Sequence, residues 1–136
     1  MKGKRIDAIW NCFTVNPERA EVYQLSKPYM KNAQLIVVPA NSSINKIADL
    51  AGKVVAVQDD STGSYIIDGN DEMRNSLKEY RKYPDFAAVY MDIDSGRVEA
   101  AVVDAVLARY YDSKNPGKYR ILEENLGDEV CSRCFP

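Results

Sequence analysis

Three short stretches of the 136-residue chain carry side chains suited to holding a small zwitterion. The first runs from Asn11 to Arg19, the second is Gln58-Asp59-Asp60-Ser61-Thr62, and the third is Asp104, directly after Val102-Val103. Arg19 can grip a carboxylate through the planar two-point fork of its guanidinium. Ser61 and Thr62, at a predicted helix start, offer hydroxyls and backbone N–H groups to the same anion. Asp104 can receive an ammonium, and Thr14 and Asn11 can fill the remaining hydrogen bonds. Each residue type also has a plainer use. An Arg at a helix start is commonly a solvated charge, and Ser, Thr or Asp before a helix commonly caps it. Composition and spacing alone therefore lead to an α/β domain without naming its task.

Other chemistries are harder to build. The chain contains no histidine, which removes Ser-His-Asp and Cys-His catalysis and histidine-bound metals. Acid–base work would fall to carboxylates, Lys or Tyr. Of the three cysteines, Cys131 and Cys134 have C-x-x-C spacing and Cys12 stands far off. An odd number so distributed does not suggest a disulfide framework. A structural zinc needs four ligands, and a redox C-x-x-C normally opens a helix after a strand. No metal and no cofactor is expected. Apolar residues make up 46%, charged residues 28%, and the net charge is −2. Lys and Arg form no basic stripe, which argues against nucleic acid as a partner. No apolar run approaches the roughly 20 residues of a membrane span. The basic start Met1-Lys2-Gly3-Lys4-Arg5 leads straight into Ile6, without the apolar stretch of a signal peptide. Either the chain stays in the cytoplasm or its true beginning is missing.

The elements that must position these groups alternate. Strands are predicted at 6–10, 34–39, 54–57, 86–91, 98–103 and 119–122. Asn16-Pro17 starts a short helix, with Asn16 as cap and Pro17 in the first helical position. A helical turn over 44–50 stops at Gly52. Ser61 or Thr62 caps a helix that runs, interrupted near Gly69-Asn70, towards Tyr80, and Asp104 opens one through Tyr111. Alternating strands and helices predict an α/β domain with a mainly parallel sheet. The runs at 35–38, 54–57 and 99–103 are apolar throughout, as expected when helices cover both faces. Ligands of such sheets sit at the carboxyl ends of strands, where the three stretches lie.

Four motifs, in order over residues 4 to 128, resemble the polar amino-acid solute-binding proteins of ABC importers, the bacterial extracellular solute-binding family 3. They are Lys4-Arg5-Ile6-Asp7-Ala8-Ile9-Trp10-Asn11-Cys12-Phe13-Thr14 with Glu18-Arg19; Ser26-Lys27-Pro28-Tyr29-Met30; Asp49-Leu50-Ala51-Gly52-Lys53-Val54-Val55-Ala56-Val57-Gln58 with its Ser61-Thr62 pair; and Ser95-Gly96-Arg97-Val98-Glu99-Ala100-Ala101-Val102-Val103-Asp104. The resemblance implies a type II periplasmic-binding-protein-like fold, a two-lobed receptor closing on its ligand around a hinge. It implies that Arg19 binds the α-carboxylate, Thr14 contacts the ligand backbone, Ser61 and Thr62 support the carboxylate, and Asp104 takes the α-ammonium. Gln58 would line the side-chain pocket. Two residues depart from the family pattern: Cys12 where a small or polar residue is common, and Asp60 where Gly is frequent.

Family members are longer, so the chain reads as truncated at both ends. Residues 1–33 are expected to be a remnant of lobe one, and 34–122 a nearly whole lobe two with a five-strand sheet flanked by helices. Residues 123–136 are expected to form an aberrant tail, which a shift of reading frame near residue 129 would explain. The apolar residues Ile6, Ile9, Trp10 and Phe13 of the remnant favour self-association as a homodimer. The expected function is amino-acid binding for an ABC transporter permease, outside the cytoplasm by family. The alternative is a folded, self-associating fragment that holds no ligand. An enzyme is disfavoured, since analogy of fold alone is a weak warrant.

Overall fold

The computed structural model describes residues 6–135. The basic start at residues 1–5, including Lys4 and Arg5 of the first motif, lies outside the described residues. The chain divides into two compact units, Met1–Ala33 with Asp128–Pro136, and Gln34–Gly127.

The first unit holds strand β1 (Ile9–Thr14), helix α1 (Pro17–Val22) and strand β2 (Gln24–Leu25). It also holds the start of β3 (Met30–Pro39), up to Ala33, and the distal part of β7 (Tyr119–Phe135), which starts in the other unit. The Asn16 side chain accepts the Arg19 N–H at 2.7 Å and Pro17 leads the helix, the start that the residues predict. β1 and β2 both pair antiparallel with β7, Thr14 opposite Cys131 and Leu25 opposite Cys134. The β1 register shifts between Ile9 and Phe13.

Two expectations fail in this unit. The last strand does not end at Leu122 but continues to Phe135, burying Cys131, Ser132 and Cys134 completely. Its length is set by the partners it finds in β1 and β2, which no local pattern reveals. Cys12 and Cys131 form a disulfide, Cα atoms 4.7 Å apart, despite the odd cysteine count. The partners are 119 positions apart in sequence and meet only because β1 lies against β7.

The second unit is a mixed sheet with helices. Strand β4 (Val54–Gln58) lies between β5 (Glu79–Tyr83) and β6 (Ala100–Asp104), parallel to both. Beyond β6, β3 (Met30–Pro39) runs antiparallel, so the order is β7-β3-β6-β4-β5. Of the pairings described in this unit, the two made by β4 are parallel and that of β3 with β6 is antiparallel, so the sheet is mixed. Helices α2 (Thr62–Asp68) and α4 (Phe86–Asp94) pack on β4 and β6, and α5 (Ala105–Lys114) packs on β6. A short 3-10 helix (Ile47–Leu50) and α3 (Asp71–Ser76) complete the unit. Ile36, Val38, Val55, Val57, Ile67, Val102 and Leu122 form the core. Such apolar strands covered by helices drive folding through area removed from water.

Two further segments differ from the sequence reading. Residues 86–91 are helical, because Asp85 caps the segment by accepting the Ala88 N–H at 2.8 Å. Val89, Tyr90 and Ile93 then turn to one side. A six-residue apolar run cannot by itself distinguish a buried strand from a helix. Conversely Glu79–Tyr83 is a strand rather than the end of a helix, its charged residues suiting a sheet edge beside β4.

Candidate functional site

In the first unit Arg19 and Thr14 come together. The half-buried guanidinium donates through Nη1 to the Thr14 carbonyl at 3.1 Å and lies over the Phe13 ring, 4.4 Å from its centroid. The ring and the carbonyl thus fix the guanidinium on β1. Thr14 is 7% exposed and its hydroxyl donates to Glu129 Oε2 at 2.7 Å. Asn32, also buried, donates to the other Glu129 oxygen at 2.5 Å. Asn11 stands apart, with an exposed side chain and a carbonyl that accepts the Tyr29 hydroxyl at 2.7 Å.

In the second unit the carboxyl ends of β4 and β6 and the antiparallel β3 present Gln58, Asp104 and Gln34 at one end of the strands. Asp104 precedes α5 in the capping position, yet its side chain makes no capping bond. Its Oδ1 accepts instead from Gln34 Nε2 at 2.5 Å, and the two residues face each other in register. The plainer expectation for this aspartate, a helix cap, is not how its side chain is used.

Ser61 does act as a cap. Its hydroxyl accepts the Ser64 N–H at 3.1 Å, and the Ser64 hydroxyl donates back to the Ser61 carbonyl at 2.8 Å. Thr62 follows as the first helical residue, half-buried. The turn before it needs a left-handed residue: Asp60 has φ 53°. Glycine adopts that conformation without cost and Asp tolerates it better than most, which accounts for an Asp in a position where Gly is frequent. Its side chain is exposed. Gln58 makes a long contact, Nε2 to the Pro84 carbonyl at 3.4 Å.

Of the nominated residues, Thr14 and Arg19 form one local group, Asp104 is bonded to Gln34, Ser61 and Thr62 start α2, and Asn11 and Gln58 stand singly. Three residues tied into these groups were not nominated from the sequence: Gln34, Asn32 and Glu129. Gln34 carried a signal, a lone amide entering the apolar strand at 35–38. Glu129 carried none, since its place opposite Thr14 depends on the β1–β7 pairing. The C-x-x-C pair is divided in use: Cys131 is bonded to Cys12, and Cys134 is a buried free thiol whose pKa burial pushes up. Among the described residues no group of three His, Cys, Asp or Glu is placed to hold a metal, and no helix is long and apolar enough to cross a membrane.

Comparison with known proteins gives these groups a context. Residues 1–85 match the model of the bacterial extracellular solute-binding proteins, family 3. The chain is 32% identical over 112 residues to the L-cystine-binding protein TcyJ of Escherichia coli, covering 79% of this chain and 40% of that protein. It is 30% identical over 129 residues to the octopine-binding periplasmic protein of Rhizobium meliloti, covering 77% and 43%. It spans less than half the length of these curated relatives. Among solved structures it resembles a substrate-binding protein of an ABC uptake transporter from Streptococcus pneumoniae with bound histidine. There the TM-score is 0.91 and the identity 29%, over 98% of this chain and 56% of that one. The holo arginine-binding protein of T. maritima matches with a TM-score of 0.86 and 30% identity, over 98% and 57%. These are type II periplasmic binding proteins, and the matched family is one of solute-binding proteins rather than enzymes. Because the family model covers more than half of its residues, the chain belongs to the bacterial extracellular solute-binding proteins of family 3.

Proposed function

We propose that this chain is an amino-acid-binding subunit, or part of one, of an ABC importer. It works outside the cytoplasm and delivers a polar amino acid to the transporter's permease. Arg19 and Thr14 take the α-carboxylate, supported by the hydroxyls of Ser61 and Thr62, and Asp104 takes the α-ammonium. Gln58 and Asn11 serve the rest of the ligand. The observation that carries the reading is the use of Asp104. It stands at the carboxyl end of β6, where ligands of such sheets sit, with its side chain on the buried Gln34 amide instead of capping α5. Relatives named for arginine, histidine, cystine and octopine binding agree with a polar or charged amino acid as cargo.

Calorimetric titration with the twenty amino acids, cystine and ornithine tests this reading. One or a few should bind, and Arg19→Ala should weaken binding at least about a hundredfold, the loss of a charge-assisted bidentate contact. A folded protein that binds none of them, or an Arg19→Ala variant with unchanged affinity, refutes it. The second reading, self-association without ligand, is favoured by Trp10 at 68% exposure and Val22 at 62% in the first unit. A homodimeric mass by light scattering, with no ligand uptake, would establish it.

A further inference from the structure

We propose that Thr14 and Asn32 form a carboxylate cradle, and that Glu129 of the same chain occupies it in competition with the α-carboxylate of a ligand. The proposal rests on the reading of Thr14 as a contact of that carboxylate. Thr14 ends β1 and Asn32 lies near the start of β3, and the two are 7% and 5% exposed. Each carries a donor in a place nearly closed to water, where a polar group is costly unless a partner reaches it. One side chain serves both. Glu129 Oε2 accepts the Thr14 hydroxyl at 2.7 Å, and its Oε1 accepts the Asn32 amide at 2.5 Å. A hydroxyl has one proton to give, so a ligand carboxylate that takes it takes it from Glu129.

The chemistry of the contact says what else can enter. Two donors, one on each oxygen of a single carboxylate, make a two-point hold, strengthened by the charge of the acceptor. The α-carboxylate of an amino acid is the same planar group. The Arg19 guanidinium, bonded to the Thr14 carbonyl at 3.1 Å, sets a cation beside the cradle and favours a carboxylate of either origin. Glu129 arrives on β7, whose next residues are held to β1 by backbone. Val15 N–H donates to the Val130 carbonyl at 3.1 Å, and Cys131 lies opposite Thr14. The glutamate can therefore withdraw by turning about its own side-chain bonds while the strands stay paired. Its presence lowers the apparent affinity of a ligand in proportion to the fraction of molecules with the cradle occupied.

The test titrates L-arginine and L-histidine, each beside its carboxamide, into the wild-type protein, Glu129→Gln and Glu129→Ala, with folding checked by circular dichroism. Glu129→Gln keeps the shape but loses the charge that holds both donors, and Glu129→Ala removes the competing group. Both variants should bind the amino acids at least about tenfold more tightly than wild type, the scale of a hydrogen bond to a charged group. Neither should gain affinity for the carboxamides, which lack the carboxylate. A glutamate that only braced β7 would give the opposite sign, since its loss would loosen the site. Unchanged or weaker amino-acid binding in a folded variant, or an equal gain for the carboxamides, overturns the proposal. If wild type and variants all bind neither amino acid, the functional reading fails separately, and acetate decides the inference. In Glu129→Ala acetate should shift the NMR signals of Thr14 and Asn32 while leaving those of wild type in place. An equal response in the two proteins, or none in either, overturns it.

Discussion

At the residue scale, the two groups use neighbouring side chains and backbone to hold a charge in place. Arg19 lies on the Phe13 ring and reaches the Thr14 carbonyl, two contacts that orient its guanidinium. Asp104 accepts from the buried Gln34 amide. Gly63 is the residue with least latitude. Its replacement by Ala puts a methyl group 2.8 Å from Val102 Cγ1, inside a packed core. Overpacking of this kind costs about 1–3 kcal/mol. Urea unfolding of Gly63→Ala should show that loss with an unchanged slope, whereas stability equal to wild type would mean that α2 does not sit against β6 as described.

At the element scale, capping decides which segments are helical. Asn16, Ser61, Asn70 and Asp85 each accept a backbone N–H three positions on, and each starts a short helix. At the other end of the sheet a carboxylate joins two strands: Glu99 accepts the Val54 N–H at 3.0 Å and pairs with Lys53 at 3.2 Å. The Val54 N–H, followed by opposing desolvation and then Lys53, holds the Glu99 carboxyl below its ordinary value of 4.5. A carboxyl whose folded pKa is depressed contributes stability above its unfolded pKa and loses it as the pH falls through the folded one. Glu99→Gln should therefore lower stability at pH 7 by about 0.5 kcal/mol, a small amount because the pair is partly exposed. The difference should shrink as the pH falls through the lowered folded-state value, once both chains are uncharged at this position. A gap between the two proteins that persists in acid would show that Glu99 acts through packing instead.

At the scale of the whole molecule, Thr14 and Arg19 belong to one unit and Ser61, Thr62 and Asp104 to the other, and the strands β3 and β7 each have residues in both. The first unit, with little buried apolar surface of its own, is stapled by Cys12–Cys131. Joining positions 119 apart restricts the unfolded chain strongly, and removing a native disulfide typically costs about 2–5 kcal/mol. Trp10, the single tryptophan, stands two positions before Cys12 and reports on this unit. Reduction, or Cys12→Ser, should lower the melting temperature followed by its fluorescence by about 5 °C or more. Equal melting with and without reductant would mean that the β1–β7 pairing holds by itself.

Read along the chain, local chemistry revealed a good part of this arrangement. Continuous apolar runs placed β3, β4 and β6, because a strand covered on both faces can have no polar side. The cap signatures at Asn16 and Ser61 located two helices, and the residue types of Arg19, Ser61, Thr62 and Asp104 selected the candidate site. Partners distant in sequence were left to the tertiary structure. The helix at Phe86–Asp94, the edge strand at Glu79–Tyr83, the full length of β7 and the Cys12–Cys131 bond all depend on what each segment packs against. So does the contact of Gln34 with Asp104, 70 positions away. Periodicity and capping are properties of a few consecutive residues, whereas a register between strands exists only once the sheet has formed.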